Sequence, residues 1–274
     1  MSGDSLDFSR TRTGPPRDQG VPGFDGDTAV RSSSMPGREI VFTNSHRSRV
    51  SHRFDTTAVA WSYEPGAGDP HPVASGRSDY DAFDVAAGLV YTQFHHRDDV
   101  PNTAISLVLD FDAGHSLAVV STIIDPTEGR TRVQHTFIPG RIEGLQTRGS
   151  EPAPTTALLG RRVVWTCGDE RRYEHLYRDP HTYRWHCLAG PEAGHGDTDE
   201  CTTYAMRPGI SVLATREKVI PRASVTIADH RDSTALRSYG AVFGPAAAGA
   251  PPEHFTFGGV GELVGCPSRQ ARTG

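Results

Sequence analysis

The sequence predicts an all-β protein built as two tandem antiparallel β-barrels. Three observations carry this. Short runs of β-branched and aromatic residues recur at roughly 8 to 12 residue intervals, with Gly, Pro, Asp and Asn between them. Nowhere in the 274 residues does an apolar period of 3.6 persist for three helical turns. A stretch rich in Gly, Pro, Thr and Ser, from Pro139 to Pro154, divides two such β series.

Residues 1–37 are rich in Ser, Gly, Pro, Arg and Asp and carry no apolar period, so they are expected to form a loose tail. A first barrel is expected over 38–150, with strands at Glu39–Phe42, Val50–Phe54, Thr57–Tyr63, Tyr80–Val85, Gly88–Phe94, Thr103–Asp110 and His115–Ile123. The last two flank Phe111 to Gly114, a hairpin loop whose glycine can take a positive φ. After the linker a second barrel is expected over 151–274. Its strands are Leu158–Cys167, Tyr173–Arg178, Thr182–Leu188, Glu200–Met206, Ile210–Thr215, Ala223–Asp229, Ala235–Phe243 and a short one at Thr256–Phe257.

The halves resemble each other. Tyr80 to Asp110 runs strand, Gly88 turn, strand, Pro101, strand ending in Asp110; Thr203 to Asp229 repeats this with Gly209, Pro221 and Asp229. A weak internal duplication fits this pattern, as does chance similarity between two meanders.

A net charge of -5 argues against a general nucleic-acid binder, which needs a basic field to displace counterions. No run approaches about 18 apolar residues and the N-terminus is polar, so the expectation is a cytoplasmic protein with no membrane segment. Cys167, Cys187, Cys201 and Cys266 form no CxxC pair and are expected to act as small buried hydrophobes.

Function is sought in Tyr173 to Glu200, where aromatics, histidines and carboxylates crowd onto two strand-like runs. Alternation places Trp165 and Cys167 on one face, likewise Tyr173, His175 and Tyr177, likewise Arg184 and His186. Turned inward, these faces would wall a cavity for an aromatic or polyketide-like molecule. The opposite parity would put Tyr183 and Trp185 inside and the charges outside. Asp197-Thr198-Asp199 reads as a turn cap. His175, His181, His186 and His195 are too scattered for a metal set, and adjacent His95 and His96 should face opposite ways.

These residues also carry a resemblance. Trp165-Thr166, Tyr173-Glu174-His175 with Tyr177, Tyr183 to Leu188 with Gly190, Glu192 and Gly194, Asp197-Thr198-Asp199, and Arg216-Glu217-Lys218 with Pro221 and Asp229 resemble the MoaF family. That family is named from molybdenum cofactor biosynthesis and looks like a pair of lipocalin-like (calycin) barrels. The same half is more distantly similar to phenolic acid decarboxylases, single barrels that act without a cofactor. On that comparison Glu217 falls on the family's glutamate, His186 on its arginine, and Trp165 and Cys167 on its two tyrosines.

The resemblance implies a cofactor-independent enzyme, a lyase, isomerase or cyclase, with Glu217 transferring a proton and His186 as base or orienter. Trp165, Cys167, Tyr173, His175, Tyr177 and Arg184 would bind the substrate, with no metal and no cofactor. An exposed edge strand is the plain alternative for Glu217, a structural role for His186, and a salt bridge to Glu174 for Arg184. A non-catalytic carrier of an aromatic ligand and an accessory protein acting through its first barrel are the other functional expectations, and a homodimer is compatible with all three.

Overall fold

The computed structural model describes residues 31–96, 102–124, 132–168, 171–218, 221–245 and 250–265. These contain strands and turns and no α-helix. The first barrel comprises β1 (Glu39–Asn44), β2 (Arg49–Phe54), β3 (Ala58–Glu64), β4 (Ala74–Ala86), β5 (Leu89–His95), β6 (Thr103–Asp110), β7 (His115–Ile123) and β8 (Val133–Ile142). Each strand pairs with the next, and β8 returns to β1 to close the wall. After the two-residue β9 (Ala153–Pro154) come β10 (Arg162–Cys167), β11 (Arg171–Tyr177), β12 (Thr182–Ala189), β13 (Gly196–Arg207), β14 (Ile210–Arg216), β15 (Ala223–Asp229), β16 (Leu236–Pro245) and β17 (Pro252–Gly265). They form a second up-and-down barrel that closes between β10 and β17, with β9 added alongside β13. Closure satisfies the strand edges that an open sheet would expose.

Two expectations need correction. Residues 31–37 are not loose: Ser32 donates its backbone N–H to Ala82 O at 2.7 Å, and Met35 is fully buried in the first barrel. The linker also begins later than expected, because Pro139 and Gly140 belong to β8, a strand that the sequence pattern does not announce. Pro139 lies beyond the last β1–β8 pair, Asn44 with Gly140. It is therefore flanked by one strand, a setting in which a residue without an N–H is tolerated. Residues 1–30, Pro101 and Cys266 lie outside the described residues.

The barrels pack through the outer faces of their middle strands. Phe83, Leu89, Tyr91, Val108, Leu117 and Val119 meet Met206, Ile210, Val212, Ala214, Val225 and Ile227 in one apolar cluster. Phe137 of β8 stacks on Tyr204 of β13, with centroids 4.3 Å apart and planes 3° apart. Two polar side chains of this seam bond backbone carbonyls across it. The Tyr91 hydroxyl donates to Val225 O at 3.2 Å, and His135 Nε2 donates to Thr215 O at 3.0 Å. Arg207, at the end of β13, grips the buried Asp110 of β6 with two bonds of 2.6 and 2.7 Å.

The two walls share one register. Phe42 lies opposite Val50 and Ile142 as Trp165 lies opposite Tyr173 and Gly261. His52 pairs with Ile40 and Trp61 as His175 pairs with Val163 and Trp185. Further round, Leu89 meets Asp110 as Ile210 meets Asp229, and Ser116 meets Gly140 as Ser238 meets Gly259. Both of those glycines are required by packing: an added Cβ would lie 2.8 Å from Ser116 Oγ or 2.7 Å from Ser238 Oγ.

Candidate functional site

The interior of the second barrel holds a cavity of about 150 Å³. Strand alternation on β10 and β11 brings Trp165, Cys167, Tyr173, His175 and Tyr177 to its wall, as the sequence pattern expected. On β12 the parity is the opposite one. Tyr183 and Trp185 line the cavity, so Arg184 and His186 stand on the outside, Arg184 exposed. A small barrel must fill its interior with bulky side chains, and two large aromatics at alternate positions fill that space better than a guanidinium and an imidazole. Glu217, one residue past β14, does line the cavity. His186 and Glu217 therefore face opposite sides of the wall and do not form an acid/base pair. Arg184 does not pair with Glu174 either; Glu174 accepts two bonds from Arg162, at 2.9 and 2.6 Å.

The far end is closed by aromatic and aliphatic packing. Tyr177 and Tyr183 stack with centroids 6.4 Å apart, His175 meets Tyr183 edge-on at 5.2 Å, and Leu158 is buried beneath them. Trp165 lies over Gly261, where a Cβ would come within 2.5 Å of its ring. Only glycine there admits so large an aromatic.

Charge collects at the other end. Arg171 opens β11, Glu192 sits in the β12–β13 turn, Glu217 follows β14 and Arg222 precedes β15. The Tyr173 hydroxyl donates to Glu192 at 3.2 Å. The cavity is thus an apolar, aromatic sleeve with a zwitterionic rim.

Titration states follow from burial. His175 has its pKa pushed down to about 4 by burial, and its Nδ1 has no hydrogen-bond partner among the described residues. At neutral pH it is an uncharged imidazole in the cavity wall. Burial pushes the Tyr173 phenol upward, with the Glu192 charge adding to it, and lifts the Cys167 thiol to about 12. Cys167 is therefore a wall residue and not a thiolate nucleophile at pH 7. Tyr183 is raised well above the ordinary phenol range by burial first and then by Glu217.

Asp199 was expected to cap a turn and does not. It lies inside the wall on β13, 2% exposed, and accepts the Trp185 indole N–H at 2.8 Å. Burial raises its pKa against that bond, and Asp197 adds to the rise; its Oδ1 has no partner among the described residues. Arg171, Glu192 and Arg222 were likewise not foreseen as site residues. The signal available for Asp199 was its parity with Cys201 and Thr203 on the same strand. Cys167, Cys187 and Cys201 are buried free thiols. Among the described residues no three His, Cys, Asp or Glu side chains gather as a metal set, and no helix is long and apolar enough to cross a membrane.

Residues 152–266 match the family model of the MoaF C-terminal domain, and residues 16–125 match that of the MoaF N-terminal domain. The chain belongs to the MoaF family. A curated relative, "Protein MoaF" of Klebsiella aerogenes, is 30% identical over 155 residues, covering 52% of this chain and 57% of the relative. The aligned part thus spans little more than half of that MoaF protein. A solved structure, "putative beta-lactamase from Burkholderia vietnamiensis", aligns with 41% of this chain and 100% of its own at 18% identity. Its TM-score of 0.33 is too low to inform the MoaF barrels.

Proposed function

We propose that the second barrel binds one small, flat, largely apolar molecule carrying a polar substituent at one end. The cavity carries this reading: about 150 Å³ walled by Trp165, Tyr177, Tyr183 and Phe257, with polar side chains gathered at the mouth. A space of that size in an apolar wall accommodates a single aromatic ring. The ring would lie against Trp165, and a phenolic or carbonyl oxygen would meet His175 or the rim. Uncharged His175 is suited to a neutral hydrogen-bonding group, because it lies four residues along β11 from the cation of Arg171 and an anion beside it would be desolvated without a partner.

Acid–base turnover of that molecule, as a lyase, isomerase or cyclase, is a second reading. It rests on Glu217 lining the cavity, while Asp199, buried in the wall against the Trp185 indole, has a raised pKa. Two carboxyl groups in unlike environments can divide proton transfer between them. His186 has no part in this version, and Arg184 does not grip the ligand.

Phenol serves as the test ligand. Titration into the ¹⁵N-labelled chain is expected to give saturable shifts of the Trp165 and Trp185 indole N–H resonances, and unmoved resonances would overturn the binding reading. For turnover, the molecule that binds is incubated with the wild type and with Glu217→Gln. Conversion by the wild type and its loss in the variant, with binding retained, supports the second reading; recovery of the molecule unchanged from the wild type refutes it.

A further inference from the structure

The shared register assigns every inward position of the second barrel a counterpart in the first. His52 stands where His175 stands, and Trp61 where Trp185 stands. Two residues before each tryptophan, Val59 and Tyr183 pair with Ser78 and Asp199, so Ser78 is the counterpart of Asp199. Phe94 pairs with Tyr80 as Thr215 pairs with Cys201, which places His96 as the counterpart of Glu217 two residues on.

The histidine and tryptophan are kept and the two acids are not. In the second barrel the Trp185 indole donates to the Asp199 carboxylate. In the first, the Trp61 indole N–H is buried with no acceptor among the described residues, as is His52 Nδ1. Ser78 is too short to replace the carboxylate, and its hydroxyl lies 3.4 Å from His96 Nδ1 instead. Gly76 opposes Trp61 where Asp197 opposes Trp185, so a second side chain is trimmed beside the same indole. His52 is 3% exposed, stacked on Phe42 at 5.4 Å, and His96 lies 4.5 Å from the Trp61 ring. Trp61 as a whole is half-buried, in the middle of β3. A buried polar group left unmatched is destabilising, so these positions favour a partner. Replacing two acids with a serine and a histidine also removes the charge that would repel an anion.

We propose that the first barrel is a second binding site, for a small carboxylate whose anionic group takes the place beside Trp61 that the Asp199 side chain fills beside Trp185. This site is independent of the ligand proposed for the second barrel. Its ligand class follows from the internal comparison: one wall brings its own carboxylate to the indole, and the other receives it from solution.

Benzoate is the probe, and benzamide its uncharged isostere. The full chain has three tryptophans and so three indole N–H resonances, assignable through Trp61→Phe, Trp165→Phe and Trp185→Phe. Benzoate is expected to move the Trp61 resonance downfield and saturably, while benzamide leaves it in place. Ser78→Asp should shift the same resonance without any ligand and abolish the response to benzoate, with Trp165 and Trp185 at their wild-type positions reporting an intact fold. A Trp61 resonance that benzoate does not move in the wild type overturns the proposal whatever Ser78→Asp does. An equal response to benzamide overturns the assignment to a carboxylate. Because the readout is Trp61, its failure is distinguishable from a failure of phenol binding at Trp165 and Trp185.

Discussion

Trp185 and His186 are adjacent in the chain and lie on opposite sides of the barrel wall: Trp185 lines the cavity and bonds Asp199, whereas His186 faces out. One step along a strand reverses every side-chain direction. It puts the Trp185 indole and its Asp199 acceptor on the inner side and the His186 imidazole on the outer one.

Variants on the two faces should therefore separate cleanly. His186→Ala and Arg184→Ala are expected to leave phenol affinity within about twofold of wild type, because neither touches the cavity. Trp165→Ala removes the largest apolar wall and should weaken binding on the order of tenfold, about 1.4 kcal/mol. Calorimetric titration decides this; a larger effect at His186 than at Trp165 would reverse the site assignment.

Asp199 gives a stability signature of opposite sign to most carboxylates. Its folded pKa is raised, so its favourable contribution is complete below its unfolded pKa and is lost as pH rises through the folded value. Asp199→Asn keeps an acceptor for Trp185 without the charge. Urea unfolding across pH 4 to 7 should show the variant gaining on wild type as pH rises, with no further gain once Asp199 is fully ionised. A difference that does not vary with pH would show that the carboxyl titrates normally.

Three buried histidines should act in the other direction. Burial is the main cause that depresses His52 to about 3 and His135 and His175 to about 4. Their contribution is complete above the unfolded pKa and is lost as pH falls through the folded values. Each adds a slope of about 1.4 kcal/mol per pH unit between roughly pH 4 and 6. His52→Phe preserves the stack on Phe42 and should flatten that slope by one proton, measurable by denaturant titration at pH 5 and 7.

The Arg207 to Asp110 pair ties the barrels at a place where neither charge reaches water freely. Burial would raise the Asp110 pKa, yet the hydrogen bonds from Arg207 and the Ala113 N–H hold it below the usual carboxylate range. Arg207→Ala strands that carboxylate and should cost about 3–5 kcal/mol. Asp110→Asn in the same background is expected to recover part of the loss. Equilibrium unfolding of the single and double variants measures both.

The duplication is partly legible in the amino-acid sequence. Gly88 with Gly209 and Asp110 with Asp229 do occupy the same rungs of two walls, because turn glycines and strand-end aspartates keep their places when side chains between them diverge. The eighth strand of the first barrel is not legible, since Pro139 and Gly140 carry turn chemistry into a strand. Residues 31–37 look like tail by composition, and it is tertiary contacts that order them: Met35 in the barrel interior and backbone bonds from Ser32 and Gly37 to Ala82 and Phe54.

The sequence alone settled the β architecture, the pairing of two barrels and the family, because strand periodicity, turn residues and motif spacing are local properties of the chain. It could not settle which face of β12 points inward. Tyr183, Trp185, Arg184 and His186 satisfy an alternating pattern equally well in either sense. The choice depends on what fills the barrel from the opposite wall, and that is fixed only when all eight strands close and Trp165, Tyr177 and Phe257 compete for the same volume. Closure also brought Asp199 under Trp185 and left Trp61, its counterpart, without a carboxylate.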